Sequence, residues 1–240
     1  MGIKEFSDNF DALLDSYAHQ ADFGDTSSKI DTDLGEWEKS LFLTEYQEEF
    51  VLSLYNGRNT SGEGFEETEE LRRYLADLVD EATPAPINNS QGMPLSANEK
   101  KAYFTLPEDL WFITYESLTV SKEACGNMVL SVVPVRQDEF NRIRKNPFRG
   151  ANDHRALRLD LANGVVELIS KFPIGEYYIR YMKKLKPIVL EELPEGLKIG
   201  DYTGPQECEL PSYLHQRILE GAVRKALEAK RKTAVERTAS

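Results

Sequence analysis

The segment "RALRLDLANGVVELIS", residues 155–170, limits what this chain can fold into more than any other. Two apolar-rich runs flank Asn163-Gly164, the pair that most readily takes left-handed backbone at both central positions of a tight turn. A chain that reverses there lays its flanks antiparallel, so the segment predicts a hairpin. Neighbouring runs are rich in aromatic and β-branched residues and predict further strands. These are "KAYFTLP" (101–107), "LWFITYESLTV" (110–120), "MVLSVVPVRQ" (128–137) and "YYIRYM" (177–182), with "EACGN" (123–127) as a turn. Pro134 inside its run predicts an edge position or a bulge, because proline donates no ladder hydrogen bond. "DEFNRIRKN" (138–146) predicts a short helix.

Helical patterns bracket this region. Ile3, Phe6, Phe10, Leu13, Leu14 and Tyr17 fall at helical spacing. Asp33 and Glu36 are spaced as a capping box opening a short helix with Trp37 and Leu41, and Thr44 with Gln47 repeats the signal before a second helix. Phe50, Val51 and Leu54 give that helix its apolar face, and Asn56-Gly57 stops it. After a glycine-rich loop (57–64), Leu71, Tyr74, Leu75, Leu78 and Val79 predict the most regular helix, with Glu66, Glu67, Glu69 and Glu70 near its positive end. Pro84 and Pro86 close it. Near the C-terminus Pro211 suits a first helical position, Leu214, Ile218, Ala222, Val223, Ala226 and Leu227 form an apolar face, and "AKRKTAVERTAS" reads as a fraying basic tail.

The order helices, sheet, helix predicts an α+β fold. N- and C-terminal helices form a bundle, with a mainly antiparallel β-sheet inserted in the middle. The expected parts are residues 1–82 (helical), 83–100 (linker or long loop), 101–205 (β-rich) and 206–240 (a C-terminal helix packing on the N-terminal helices, then the tail).

Composition narrows the function. At 240 residues, 40% hydrophobic and 29% charged, the chain has the balance of a globular protein. No run of eighteen apolar residues exists, and the N-terminus lacks a basic segment followed by an apolar one, so neither a membrane span nor a secretory leader is expected. Cys125 and Cys208 stand alone, which predicts no disulfide framework and no zinc site. The net charge of −12 is uneven: residues 1–100 hold 7 Lys and Arg against 22 Asp and Glu, and the remainder hold 22 against 19. That asymmetry suits copies meeting front to back, and equally a solvated acidic surface.

Catalytic motifs for hydrolases, nucleotide enzymes and zinc proteases are missing from the sequence, and His19, His154 and His215 have no ligand-like spacing. No catalytic, metal or cofactor residue is therefore assigned, and a non-enzyme is expected. The basic residues carry more information. Arg136, Arg142, Arg144 and Arg149 crowd one stretch, and Arg180, Lys183 and Lys184 crowd the end of the last strand. Arginine's planar fork suits fixed pairing with carboxylate or phosphate. A free-standing nucleic-acid binder carries a larger basic excess than this back half. These seven residues are accordingly candidates for a subunit or partner interface facing carboxylates, with scattered solvated charge as the plain alternative.

Several runs together carry a resemblance: "EWEKSLFLTEYQEEFVLSLYNG" (36–57), "FEETEELRRYLADLV" (65–79), "VVPVRQDEFNRIRKNPFRG" (132–150), "RLDLANGVVELIS" (158–170), "YYIRYMKKLKPIVLEEL" (177–193) and "CELPSYLHQRILEGAV" (208–223). In this order they resemble virion structural proteins of crAss-like gut bacteriophages. More distantly, the chain is similar to head-to-tail connector (adaptor) proteins of short-tailed phages. The resemblance implies a neck or tail ring beneath the portal, commonly dodecameric, around a DNA channel. Its implied partners are the portal protein, neighbouring neck and tail ring proteins, and copies of itself, with genomic DNA passing through without specific binding and no membrane or cofactor involved. It implies residence in the virion, with assembly in the host cytoplasm. On this reading part of the acidic front half lines or neighbours the channel, and the basic group near 136–158 lies at subunit boundaries. The alternative is a cytosolic phage-encoded protein that binds nucleic acid or a host component.

Overall fold

A computed structural model of the chain describes residues 1–21, 33–58, 62–88, 98–122 and 126–239. It has helices at both ends and a curled eight-stranded sheet between them, a mixed α+β fold. Two compact units result: a helical unit (Met1–Leu78 with Leu185–Ser240) and a sheet unit (Val79–Lys184).

The sheet unit contains β1 (Val79–Ala82), β2 (Pro86–Ile87), β3 (Lys100–Thr105), β4 (Leu110–Lys122), β5 (Gly126–Pro134), β6 (Arg155–Asp160), β7 (Val165–Ser170) and β8 (Ile174–Lys183). Their order across the sheet is β1-β8-β4-β5-β6-β7-β3-β2. All neighbours are antiparallel except β5 and β6, whose parallel pairing requires the crossover that carries α4 (Phe140–Arg144). The predicted hairpin forms: Asn163 and Gly164 have φ of 59° and 67°, and the Val165 amide donates to the Ala162 carbonyl at 3.3 Å. Register breaks along β4 against β8, the mark of bulges, bend the long strands. Gly175 lies beside one of them, where an added Cβ would meet the Thr119 carbonyl oxygen at 3.0 Å. The bend has a large effect. Strands β3 and β8 are five places apart, about 24 Å in a flat sheet, yet the rings of Phe104 and Tyr177 lie 5.3 Å apart. The sheet thus curls around its own core of Phe104, Leu118, Leu130, Leu168, Tyr177 and Ile179. On its other face Phe140 of α4 is buried against Leu157, Leu159 and Ile169.

The helical unit contains α1 (Ile3–Ala21), α2 (Glu36–Tyr55), α3 (Glu69–Leu75) and α5 (His215–Ala239). Phe6, Phe10, Leu14 and Ala18 form the buried stripe of α1, and Ile218, Leu219, Ala222, Val223 and Ala226 that of α5. Helix α5 lies against both α1 and α2. Gly221 makes this approach possible, since its missing side chain leaves the place that the Tyr46 ring takes. Lys39 joins α1 to α2 from a buried position, with Nζ 2.6 Å from Asp11 and 2.7 Å from Glu36.

Several expectations change. Residues 36–55 form one helix, not two, capped at Gly35, whose amide donates to Glu38 at 3.1 Å. Ser40, Thr44 and Gln47 lie at i, i+4 and i+7, on one face of that helix, and bond an extended segment. The Leu190 amide donates to Ser40 (3.0 Å), Thr44 exchanges bonds with Ile188 (3.1 and 3.2 Å), and Gln47 donates to the Lys186 carbonyl (2.9 Å). Alternate residues of the segment face the other way, where Val189 pairs with Gln206. What looked like a helix start is a helix standing in for a strand. The helix expected through Val79 ends at Leu75, and after one 3-10 turn Val79 opens β1. Pro134 ends β5 past the last residue paired to β4, Ser131, so only β6 lies beside it and the expected edge position is met locally within the sheet. Pro211 precedes a 3-10 turn at 212–214, and α5 continues through Ala239 where a frayed tail was expected. The "EACGN" turn falls partly, and the middle of the 83–100 linker falls wholly, outside the described residues.

Candidate functional site

All seven candidate basic residues belong to the sheet unit, in two groups. Arg142 and Arg144 lie in α4 and Arg136 and Arg149 flank it on the β5–β6 crossover, whereas Arg180 and Lys183 end β8, three places from β6 in the sheet order, and Lys184 follows it. Most have carboxylate or carbonyl partners within the unit. Arg136 pairs with Asp138 at 2.9 Å and Arg142 with Glu139, both exposed. Arg144 is largely buried and grips Glu99 through two nitrogens, Nε at 2.8 Å and Nη2 at 2.6 Å. Arg180 donates to the Tyr178 hydroxyl (3.0 Å), which itself donates to Glu81 (2.6 Å); the Arg180 guanidinium is held further above its ordinary value by that hydroxyl and by Glu81. Lys184 donates to the Glu108 carbonyl at 3.2 Å, and Lys183 sits half-buried opposite Leu110.

Arg158 is a third kind of basic residue. It is buried in the curl of the sheet, 2.7 Å from Glu116, whose other oxygen accepts from the Tyr177 hydroxyl at 2.7 Å. Burial and the adjacent carboxylate push the Tyr177 phenol far up, so it remains a donor throughout the physiological range. Glu167, fully buried on β7, accepts from Tyr103 at 3.2 Å and lies 3.8 Å from Lys101. These ions are internal struts, since each has partners that use its charge.

Two exposed features stand out against this pairing. The loop after α4 presents Phe148 at 84% exposure, between the exposed Lys145 and Arg149. The loop is tightly built. The Asn146 side chain accepts from the amides of Phe148 (2.9 Å) and Arg149 (3.2 Å), its carbonyl accepts from Gly150 (2.8 Å), and Arg155 donates to the Phe148 carbonyl (3.0 Å). An added Cβ at Gly150 would lie 2.9 Å from the carbonyl oxygens of Arg144 and Asn146. In the helical unit a cleft of about 470 Å³ is lined by Glu69, Glu70, Arg73, Tyr74 and Tyr213. The Tyr74 and Tyr213 rings are 5.5 Å apart, Tyr74 donates to Glu70, and Tyr213 is 56% exposed. Neither Phe148 nor Tyr213 stood out in the sequence. The signal available for Phe148 was an aromatic residue among Lys, Asn, Pro, Arg and Gly, which is loop chemistry with nothing to bury the ring.

Charge divides by unit as well, though less sharply than by sequence half. The helical unit holds 28 Asp and Glu against 15 Lys and Arg, a net −13, and the sheet unit 13 against 14, a net +1. Among the described residues no cluster of His, Cys, Asp and Glu is arranged to hold a metal ion, and no helix is long and apolar enough to cross a membrane.

Known proteins match this pattern over nearly its full length. The model of the family described as phage tail ring protein 3/4 matches residues 1–238. The chain belongs to that family. It is 41% identical over 235 residues to "Ring protein 3" of Bacteroides phage crAss001, covering 96% of each chain. It is 26% identical over 238 residues to "Ring protein 4/5" of the same phage, covering 95% of this chain and 93% of the relative. The resemblance to crAss-like phage virion proteins is thereby established. As a tail ring protein of the 3/4 family, the chain is a structural protein of the crAss-like phage particle.

Proposed function

We propose that this chain forms a homo-oligomeric ring, dodecameric to match the portal, in the neck or tail beneath the portal and around the DNA channel. The match of residues 1–238 to a tail ring family carries this reading. Three structural features support it. The two units differ by fourteen charges, which gives one subunit the unlike surfaces that front-to-back contacts need. The acidic helical unit, whose helices act as a bundle, suits a place beside the channel, because phosphate contacts with Lys and Arg release counterions and hold DNA. The exposed members of the basic group, with Arg149 foremost, suit the subunit boundary.

Quantitative mass spectrometry of gradient-purified particles, scaled to the portal subunit, tests this. A ratio near one is expected, with imaging to find the tier. Absence from particles would remove the connector reading. Reversing the charges of Arg142 and Arg149 together is expected to weaken ring assembly; intact assembly would take these residues out of the boundary.

A further inference from the structure

We propose that Phe148, with Lys145 and Arg149 beside it, packs onto the Tyr74–Tyr213 pair, in the cleft which that pair lines, on a second copy of this chain. The inference rests on the ring reading above and adds its contact chemistry. On one side is a cationic-flanked aromatic knob. An 84% exposed phenylalanine leaves nearly all of its ring in water, while six hydrogen bonds hold its loop in shape. A ring held ready in this way loses little conformational freedom on docking, and aromatic anchors of this kind dominate interface energetics.

On the other side is an acidic-flanked aromatic cleft. Its 470 Å³ exceeds what one phenyl ring needs, and its tilted tyrosine pair offers ring faces and edges to a third aromatic. Glu69 already has Arg73 at 2.7 Å, Glu70 takes the Tyr74 hydroxyl and the Arg217 guanidinium lies 5.9 Å from the Tyr74 ring, yet both carboxylates are exposed in the cleft lining. Charge complementarity selects the occupant: the knob belongs to the unit of net +1, the cleft to the unit of net −13. Knob and cleft are different patches of one chain, so each copy offers a knob to one neighbour and a cleft to the other. Such a contact is heterologous, and repeated it builds a ring where its rotation closes.

The test exploits that directionality. Phe148→Asp removes the knob and Tyr213→Asp blocks the cleft; both positions are exposed, and circular dichroism checks the fold. Each variant alone should lose self-association, and Phe148→Ala should weaken it about 30-fold or more, the range of an aromatic hot spot. A mixture of the two Asp variants has one good knob and one good cleft, so native mass spectrometry should show a heterodimer and nothing larger. In parallel, p-benzoylphenylalanine in place of Phe148 should give chain-to-chain adducts mapping to residues 69–74 or 213. Rings that persist in either variant, a mixture that stays monomeric while the natural sequence associates, adducts elsewhere, or no adduct at the highest soluble concentration would each overturn the contact. If the protein is found in particles at portal stoichiometry while these results go against the knob, only this contact fails; absence from particles fells the ring reading beneath it.

Discussion

The helical and sheet units both bury polar side chains, but these side chains have different partners. In the sheet unit the backbone pairs with itself, strand to strand, so Glu116, Arg158, Tyr177, Tyr103 and Glu167 pair with one another. In the helical unit residues 186–190 are extended, and one side of that segment has no strand beside it. Ser40, Thr44 and Gln47 of α2 supply the missing donors and acceptors. The difference shows how one rule, that buried polar groups need partners, is met in two ways according to whether the backbone has already satisfied itself.

The largest loss should follow from orphaning an ion in the sheet unit. Arg158→Met leaves Glu116 buried beside Tyr177 without its cation, and is expected to destabilise by about 3–5 kcal/mol in denaturant unfolding. The double variant with Glu116→Leu should recover most of that loss. If single and double variants are equally unstable, packing and not charge pairing governs the site. Next in size is the ladder of the helical unit. Gln47→Leu strands the Lys186 carbonyl and the Cys208 thiol, which donates to Gln47 at 3.1 Å. A loss of about 1–3 kcal/mol is expected. Burial lifts the Cys208 thiol to about 11, so it should resist alkylation near neutral pH until this region opens. Faster labelling of Cys208 in a Cys125→Ser background would report that opening, and unchanged labelling would show that the ladder is not what closes it.

A pH scan sharpens the same contrast. Burial holds the His215 imidazole below its ordinary value, with the Leu210 carbonyl accepting from Nε2 at 2.8 Å. The unfolded chain takes up a proton near pH 6.5 that the folded chain resists. Stability should therefore be full above that pH and decline as pH falls below it. His215→Gln should flatten this part of the profile, and an unchanged slope would assign it to other groups. The smallest effect is expected at the surface. Lys225 lies 2.9 Å from Glu45 and 2.6 Å from Glu49, and Lys225→Ala should cost less than about 1 kcal/mol and fade with added salt.

The elements with a strong local cause were legible in the sequence. Asn163-Gly164 set the hairpin, the stripes of α1 and α5 showed their buried faces, and the aromatic and β-branched content of β3, β4 and β8 marked the strands. The rest depended on partners far along the chain. Thr44 and Gln47 have the spacing of a cap, and only residues 186–190 show them to be a ladder. Val79 continues a helical stripe until β8 offers it a strand to pair with. Among the candidate basic residues, the sequence showed charge but not pairing: Arg144 and Glu99 lie 45 positions apart and close on each other in the fold. Phe148 has the opposite problem, because only the structure shows that nothing within the described chain covers it.

The layout of the helical unit also sets a timetable for synthesis. The sheet unit is one continuous stretch, and its first and last strands pair directly, Val79 opposite Met182. It can close as soon as residue 184 has left the ribosome. The helical unit is made from both ends of the chain, and the ladder joins residues separated by 139 to 150 positions. Helices α1 and α2 therefore emerge first and wait, apolar faces bare, until α5 is made. The tyrosine cleft waits with them, because Tyr213 is added late. A nascent or truncated chain would carry the knob without the cleft, so only a finished subunit could accept a neighbour on that side.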